Sequence, residues 1–397
     1  MAEDKYAIVF GASGVSGWSF VNEILNDYPK KGVWSGVFAL TNRPLTLEQS
    51  QWPDDGRLTI VSGIDLLEGS QEILERLLRE KLPDISKVTH LIYLAFKAQK
   101  DIETEVKENV SMFQRATTAM DRLSPALEFV VLQTGSKAYG CHLLHDRPAI
   151  MKPPLSESLP RLPAPYDAGI FYNQKLDWLA EYSAIRKWGW AETRPDIIIG
   201  FVPNQNFFSL ATVLGIYLSL RRELDGEGAQ CPFPGTQASW ETLSNDSSAD
   251  MVARQTLHVA LTGLWKSHKG EAFNVADERR PSCWRDKWPV LCAYFGLRGV
   301  KLDEDNPVEV RQYIREHMPV WEAMEKKYGL QSGHANSPRI YPGFEYWLLT
   351  MFDTDRQYDM SKMYDEVGFT EERDTAQSWG GVFDRMARAR IIPTRFE

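Results

Sequence analysis

The chain has 397 residues, of which 43% are hydrophobic and 25% charged, a composition that excludes a disordered protein. Its length indicates one large domain or two fused units. The 45 basic residues are outnumbered by 54 acidic ones, and a net charge of −9 repels phosphate backbones, which argues against a nucleic-acid partner.

Three sequence features bear on compartment and metal binding. The N-terminal residues are charged and show no signal peptide, and the apolar segment 207–220 is shorter than the roughly 20 residues that span a bilayer. The histidines and the four cysteines (Cys141, Cys231, Cys283 and Cys292) lack metal-ligand or C-x-x-C spacing. We therefore predict a cytoplasmic protein with reduced thiols, no membrane span and no metal site.

The first half of the chain alternates short apolar runs with amphipathic helical patterns. Strands are predicted at 6–10, 34–40, 58–62, 88–96, 128–133 and 193–200, and helices at 15–27, 71–81, 102–123 and 169–187. The continuous apolar run 129–132 is typical of a strand buried on both faces, as in a parallel sheet. This alternation predicts a doubly wound parallel α/β sheet.

After residue 200 helical patterns dominate. They cover 207–222, 249–261, 284–295, 308–328, 344–352 and 379–389, while the proline-rich stretch 148–165 is predicted to be a loop. We therefore divide the chain into a sheet domain, 1–200, and a smaller, mostly helical region, 201–397, that covers the substrate and returns some segments to the sheet.

A glycine-rich turn links the first strand to the first helix. Gly11, Gly14 and Gly17 have the spacing that lets a backbone approach a pyrophosphate at a helix N-terminus. Its position after an N-terminal strand predicts a Rossmann-type dinucleotide site. Further cofactor contacts are predicted in this turn and after the other strands, at Ser13, Val15, Asn42, Asp65, Leu66, Leu94, Ala95, Thr134, Gly135 and Ile199.

The residue after the second strand discriminates between the two nicotinamide cofactors. NAD binding favours a carboxylate there, which holds the ribose 2′-hydroxyl. This chain has Asn42 and Arg43 instead, and a guanidinium pairs with a 2′-phosphate. The sequence therefore predicts NADPH/NADP⁺, whereas a solvated loop arginine remains the alternative interpretation of Arg43.

The candidate catalytic residues lie on two separate segments. The helix after the fifth strand has no Tyr-x-x-x-Lys pair, because Tyr172 is followed four residues later by Leu176. Lys175 is three residues away, and we interpret it as an ordinary surface lysine. The alternative lysine is Lys137, in the loop directly after the fifth strand, at the sheet edge where ligands bind.

The segment around Lys137 resembles the Thr-Gly-x-Lys-x-Tyr motif of the progesterone 5β-reductase/iridoid synthase-like (PRISE) enzymes. These form an atypical branch of the extended short-chain dehydrogenase/reductase superfamily. Further segments similar to that family's motifs follow in the same order, at 93–96, 170–174, 194–201, 271–275 and 284–289. The resemblance covers nearly the whole chain.

The resemblance implies an NADPH-dependent reductase that adds hydride 1,4 to an activated C=C bond, in a role that fits secondary metabolism. Tyr172 would hydrogen-bond the carbonyl oxygen where enolate charge develops, and Lys137 would hold the nicotinamide ribose. One such hydrogen-bond donor is worth about 2.7–4 kcal/mol of the barrier.

The substrate pocket departs from the family's pattern, so we expect a hydrophobic carbonyl compound without assuming a steroid or an iridoid precursor. Phe171 and Phe96 replace a family Tyr and Trp, and Leu143 stands where a pocket Phe is expected. The aromatic segment 340–352 resembles a lid. The predicted pocket residues are Phe96, Leu143, Phe171, Phe207, Ser248, Phe344 and Trp347.

Two other functions remain open at this stage. A redox-neutral cyclase or isomerase could use the same tyrosine to promote enolisation, and a non-catalytic NADP(H)-sensing regulator could keep only the cofactor site. The stereochemistry and the oligomeric state are also open, with a homodimer as one candidate assembly.

Overall fold

The computed structural model describes residues 4–167, 169–205, 208–263, 269–340 and 343–396. Within these ranges the strands are β1 Lys5–Phe10, β2 Trp34–Thr41, β3 Leu58–Ser62, β4 His90–Tyr93, β5 Phe129–Gln133, β6 Gly189–Pro195, β7 Ile198–Ile199, β8 Gln230–Pro232, β9 Ser247–Ser248, β10 Ala272–Val275 and β11 Arg298–Val300. Seven of them form one parallel sheet in the order β10-β6-β5-β4-β1-β2-β3. This order is that of a doubly wound dinucleotide-binding fold.

Helices connect the strands and continue after the sheet is complete. They are α1 Gly17–Leu25, α2 Leu47–Ser50, α3 Gln71–Lys81, α4 Ile102–Leu123, α5 Phe171–Ser183, α6 Leu210–Asp225, α7 Gln237–Glu241, α8 Ala249–Leu261, α9 Trp284–Tyr294, α10 Val310–Glu316, α11 Met318–Tyr328, α12 Phe344–Tyr346 and α13 Thr375–Arg388.

Both faces of the sheet are covered by helices. Alternate residues of β1 show this, because Ala7 and Val9 pack on one side while Ile8 and Phe10 pack on the other. The first side holds α1, α6, α8 and α13, and the second holds α3, α4 and α5. Burial on both sides explains the continuous apolar run predicted for β5.

The C-terminal half is tied to the sheet rather than set apart from it. Strand β10 extends the sheet beside β6. In the core, the carboxylate of Asp250 in α8 accepts a hydrogen bond from Ser19 of α1 and pairs with Arg373 and with Arg385 of α13. The pairs β7–β9 and β8–β11 form two small sheets beside the large one.

Several predicted bounds differ from the observed ones. The sixth strand runs over 189–195 rather than 193–200, because Trp190 and Ala191 supply its buried residues and the chain leaves the sheet after Pro195. The predicted helix 308–328 is divided at His317, since Pro319 in the first turn of α11 cannot continue α10. The predicted helix 344–352 is a short α-helix followed by a π-helical turn, Trp347–Met351.

Other properties of the described ranges bear on compartment and metal binding. No helix there combines the length and the apolarity that a bilayer crossing requires. Within the same ranges, histidine, cysteine and acidic side chains form no cluster of three or more that could hold a metal ion. The four cysteines are buried and unbridged.

Candidate active site

A cavity of about 630 Å³ opens at the carboxyl edge of the sheet. The segments that follow β1, β2, β3, β4, β5 and β6 line it, together with the start of α5, Arg339 and several residues between 344 and 352. Ligands of doubly wound folds bind at this edge, because the strand order reverses there and leaves a crevice.

The glycine turn after β1 requires glycine for steric reasons. A Cβ atom on Gly11, whose φ is +84°, would lie 2.8 Å from the backbone nitrogen of Ala95, and one on Gly17 would lie 2.2 Å from the carbonyl oxygen of Gly11. Helix α1 has no side-chain cap at its N-terminus, and the backbone N–H groups of Trp18, Ser19 and Phe20 already donate to carbonyl oxygens of the turn, so the N–H groups just before Trp18 are the ones that a ligand can meet. The turn therefore fits the pyrophosphate of a dinucleotide.

The other predicted cofactor residues lie around the same cavity, with one exception. The lining includes Gly14, Ser13, Val15, Asn42, Asp65, Leu66, Leu94, Ala95, Thr134 and Gly135. Ile199 does not line it and is buried in the core, whereas Ile197 and Ile198 of the same segment do. Ile198 and Ile199 differ because they are the two residues of β7, and successive strand residues point to opposite sides.

Two arginines converge at the end of β2. Arg43 lines the cavity and donates from Nη2 to Oδ1 of Asn204 (3.3 Å) and to the carbonyl oxygen of Gln205 (3.1 Å). Burial and the positive charge of Arg339, which also lines the cavity, lower the pKa of Arg43. Sequence reasoning missed Arg339, since no motif connects it to Arg43. Two like charges held together form a site for an anion.

Tyr172 projects into the cavity from the first turn of α5. Its hydroxyl oxygen lies 3.6 Å from the position that a Cβ atom would occupy on Gly135, in the loop after β5. Burial raises the pKa of Tyr172, and the negative charges of Glu192 and Glu105 raise it further. The phenol therefore stays protonated at neutral pH and is available as a hydrogen-bond donor.

Lys137 lies on the same loop but is exposed to solvent. It lines the cavity together with His142, and burial, followed by the charge of Lys137, lowers the pKa of His142 to about 4. The charges that act on Tyr172 are the two glutamates. Lys137 and Tyr172 thus line the same cavity. The group whose pKa the positive charge of Lys137 lowers is His142.

A buried polar network holds the loop that carries Lys137. Thr134 donates its hydroxyl to Glu192 (2.5 Å), whose carboxylate forms an ion pair with Arg194 (2.8 Å). Arg194 in turn donates to the hydroxyl of Tyr139, which itself donates to Asn274 (2.7 Å). Tyr139, the last residue of the Thr-Gly-x-Lys-x-Tyr segment, therefore has a positioning role.

The prediction that Lys175 is a surface residue is wrong. Its side chain lines the cavity and is 3% exposed, with Nζ lying 4.5 Å from the ring centroid of Phe171 and 5.1 Å from that of Tyr93. The residue lies on the buried face of α5, with Phe171, Leu176 and Leu179. Its position among these apolar residues is the sequence signal that indicates burial.

Aromatic side chains form one wall of the cavity, called here the aromatic wall. Phe96 stacks on Phe171 and meets Phe208 edge-on, both with ring centroids 5.6 Å apart. Phe208 contacts Phe344 (5.2 Å), and Trp347 contacts Phe352 (4.3 Å). All of these rings line the cavity, and Phe208 was missed by sequence reasoning.

Three predicted pocket residues do not belong to this wall. Leu143 packs against a small separate cluster with Met151, Leu162 and Ile170. Ser248 caps α8 and donates its hydroxyl to the buried carboxylate of Asp277 (2.7 Å). Its hydroxyl therefore forms hydrogen bonds within the fold. Phe207 lies outside the described residues.

Comparison with known proteins defines the class. Residues 7–393 match the model of the PRISE-like Rossmann-fold domain. The chain therefore belongs to that family and is an oxidoreductase of the extended short-chain dehydrogenase/reductase type, which confirms the resemblance found in the sequence.

Individual relatives cover almost the whole chain. A short chain dehydrogenase of Aspergillus calidoustus, ausT, is 35% identical over 99% of this chain and 95% of its own length. An (S)-8-oxocitronellyl enol synthase of Nepeta cataria is 28% identical, covering 98% and 94% of the two chains. A 3-oxo-Delta(4,5)-steroid 5-beta-reductase of Arabidopsis thaliana is 27% identical with the same coverages.

Solved structures agree on the fold. The dTDP-glucose 4,6-dehydratase DesIV of Streptomyces venezuelae, solved with NAD bound, superposes with a TM-score of 0.57 at 17% identity over 97% of this chain and 98% of its own. Together with the steric fit of the glycine turn, this fold assigns a nicotinamide cofactor to the cavity.

Proposed function

We propose that the protein is an NADPH-dependent reductase of C=C bonds conjugated to a carbonyl group in hydrophobic small molecules. The observation that carries this proposal is the placement of the Tyr172 hydroxyl beside Gly135, at the cavity edge that the glycine turn also reaches. The relatives named as an enol synthase and a 5-beta-reductase support it.

The cofactor preference is inferred from the charges at the end of β2. Arg43 and Arg339 place two cations where the adenosine ribose of a dinucleotide lies, and no carboxylate stands at 42 or 43 to hold a 2′-hydroxyl. A guanidinium pairs bidentately with a phosphate. These residues therefore favour NADPH over NADH, and the bound cofactor supplies the hydride.

The chemistry required of the protein is stabilisation of negative charge. As the β-carbon of the enone is reduced, charge develops on the carbonyl oxygen and an enolate forms. The protonated Tyr172 donates a hydrogen bond to that oxygen, and the α-carbon then takes a proton from solvent or from the phenol. Lys137 supplies positive potential at the cavity mouth and, in this proposal, holds the nicotinamide ribose.

The hydrophobicity of the substrate is inferred from the aromatic wall. Phe96 and Phe208 are more than a third exposed, which is unusual for phenylalanine and is explained by their facing the cavity. Phe344 and Trp347 extend this wall, and the C-terminal region that carries them is proposed to cover the bound substrate. An apolar skeleton packed there removes aromatic surface from water.

The direct experiment is Tyr172→Phe, assayed by NADPH oxidation with a panel of enones and enals. Removing one oxyanion donor is expected to lower the rate about 10²–10³-fold and to leave NADPH affinity unchanged. Tyr182→Phe on the same helix is the matched control, since its hydroxyl donates to Asp121 outside the cavity, and it should retain the rate. Full activity of the Tyr172 variant would reject the proposed role.

A further inference from the structure

One cationic side chain at the wall of the cavity has no anionic partner. Lys175 is almost fully buried, and among the described residues no carboxylate pairs with its Nζ atom and no acceptor receives a hydrogen bond from it. Its surroundings are the rings of Phe171 (4.5 Å), Tyr93 (5.1 Å) and Phe113 (5.8 Å). A buried amine with this environment lacks the ion pair that usually accompanies a buried charge.

A second polar group beside it is also unsatisfied. Tyr93 also lines this cavity, and its hydroxyl is buried and has no hydrogen-bond partner among the described residues. Buried hydroxyls are nearly always hydrogen-bonded, so an orphan one next to an unpaired amine indicates a missing acceptor. Both groups are donors, and together they define a site for an oxygen anion.

The cofactor phosphates are poor candidates for this anion. They belong at the glycine turn and the N-terminus of α1, whereas Lys175 is surrounded by side chains of β4, α4 and α5. The site adjoins the aromatic wall instead, because Phe171, which Lys175 faces, stacks on Phe96. The anion therefore has to come with the ligand that occupies this wall.

The charge of the donors restricts the anion. One ammonium and one neutral phenol offer a single positive charge, which balances a carboxylate but leaves a phosphate dianion or a sulfate with uncompensated negative charge in an apolar environment. The rings around Nζ also attract a cation through their faces, so they favour the ammonium form once an anion is present.

We propose that Lys175 and Tyr93 bind a carboxylate of the substrate, which makes the substrate class an apolar α,β-unsaturated carbonyl compound that carries a carboxylic acid. This inference rests on the proposed function for the reacting part of the molecule, and adds the recognition of its acidic end. Burial, which lowers the pKa of the free Lys175 amine to about 7, is consistent with an amine that becomes fully charged only beside an anion.

The test uses ligands that cannot be reduced, so that binding is measured separately from turnover. Binding of 4-benzoylbutanoate and of its methyl ester to the NADP⁺-loaded protein is measured by calorimetry. The acid is expected to bind at least about tenfold more tightly than the ester. Lys175→Met should abolish this preference and leave ester affinity unchanged, whereas Lys107→Met, an exposed lysine of α4, should preserve it.

Three results would overturn the proposal: equal binding of acid and ester to the unmodified protein, an acid preference that survives in Lys175→Met, or a loss of NADP⁺ affinity in that variant, which would assign the amine to the cofactor ribose. The first comparison needs no variant and holds even if Lys175→Met does not fold. If enones that carry a carboxylic acid are not reduced while the acid preference stands, the proposed reaction fails and the carboxylate site survives.

Discussion

At the residue scale, the proposed chemistry depends on a small residue, Gly135, that faces the larger Tyr172. A side chain at Gly135 would come within 3.6 Å of the Tyr172 hydroxyl and 3.3 Å of the carbonyl oxygen of Pro195. Glycine leaves this space open, and in the proposed reaction the carbonyl group of the substrate approaches the phenol there. The sequence predicted both residues, because each belongs to a motif at the carboxyl edge of the sheet.

Residues without a motif were harder to predict. Arg339 comes from the C-terminal half and lies near Arg43 only through tertiary packing, so no local pattern indicates it. Lys175 was different, since the buried stripe of α5 includes its position and a helical projection places it there. Its misinterpretation came from the general rarity of buried lysine.

The two arginines yield a prediction for cofactor affinity. Arg43→Ala is expected to weaken NADPH binding by roughly 10–100-fold, since a hydrogen bond to a charged group is worth about 1.5–3 kcal/mol, and to leave NADH binding nearly unchanged. Fluorescence titration of both cofactors measures this. Arg79→Ala, an exposed arginine of α3, is the control. An equal loss for both cofactors would show that Arg43 only maintains the loop.

The buried amine yields a prediction for stability against pH. The pKa of Lys175 is about 7 in the folded chain and 10.5 in the unfolded chain, so between these values unfolding takes up a proton. The difference in pKa lowers the free energy of unfolding. This loss is complete below about pH 7 and disappears as the pH rises towards 10.5. Lys175→Met should therefore melt about 2–5 °C above the unmodified protein at pH 7, and at nearly the same temperature at pH 10. A difference independent of pH would contradict the low folded pKa.

At the element scale, the hydrogen-bond network of Glu192, Arg194 and Tyr139 connects the loop after β5 to β6. These residues lie on β6 and on the loop itself, so the network fixes the position of Lys137 relative to the sheet. The sequence placed β5 and the loop correctly. The predicted start of β6, at residue 193, lies four residues after the observed start at Gly189. The apolar residues after Pro195 had suggested a strand that continues further.

Helix and turn glycines should respond in opposite ways to substitution. Gly17→Ala puts a Cβ atom 2.2 Å from the Gly11 carbonyl oxygen, so the turn must shift, and we expect NADPH affinity to fall at least about tenfold. Gly381→Ala in α13 meets no atom within 4 Å and should stabilise the protein by about 0.5–1 kcal/mol through higher helix propensity. Cofactor titration and urea unfolding check the pair. Unchanged NADPH binding in Gly17→Ala would contradict the proposed phosphate site.

At the scale of the whole molecule, the sheet was predictable and the cavity was only partly so. Strand and helix patterns up to residue 200 determine the doubly wound fold, because each pattern is local. The aromatic wall combines Phe96 and Phe171 of the first half with Phe208, Phe344 and Trp347 of the second. Such long-range packing has no periodic signal. The compartment and the oligomeric state stay predictions.

The central claim is that the protein reduces a conjugated C=C bond with NADPH. The most direct test follows deuterium from the cofactor into the product. The protein is incubated with a simple enal and with NADPH deuterated at either face of nicotinamide C4, and the product is analysed by mass spectrometry and NMR. We predict that one of the two labelled cofactors places a single deuterium on the β-carbon, with the aldehyde intact and a solvent proton on the α-carbon. Deuterium on the carbonyl carbon, or a rearranged product without any label, would contradict the account.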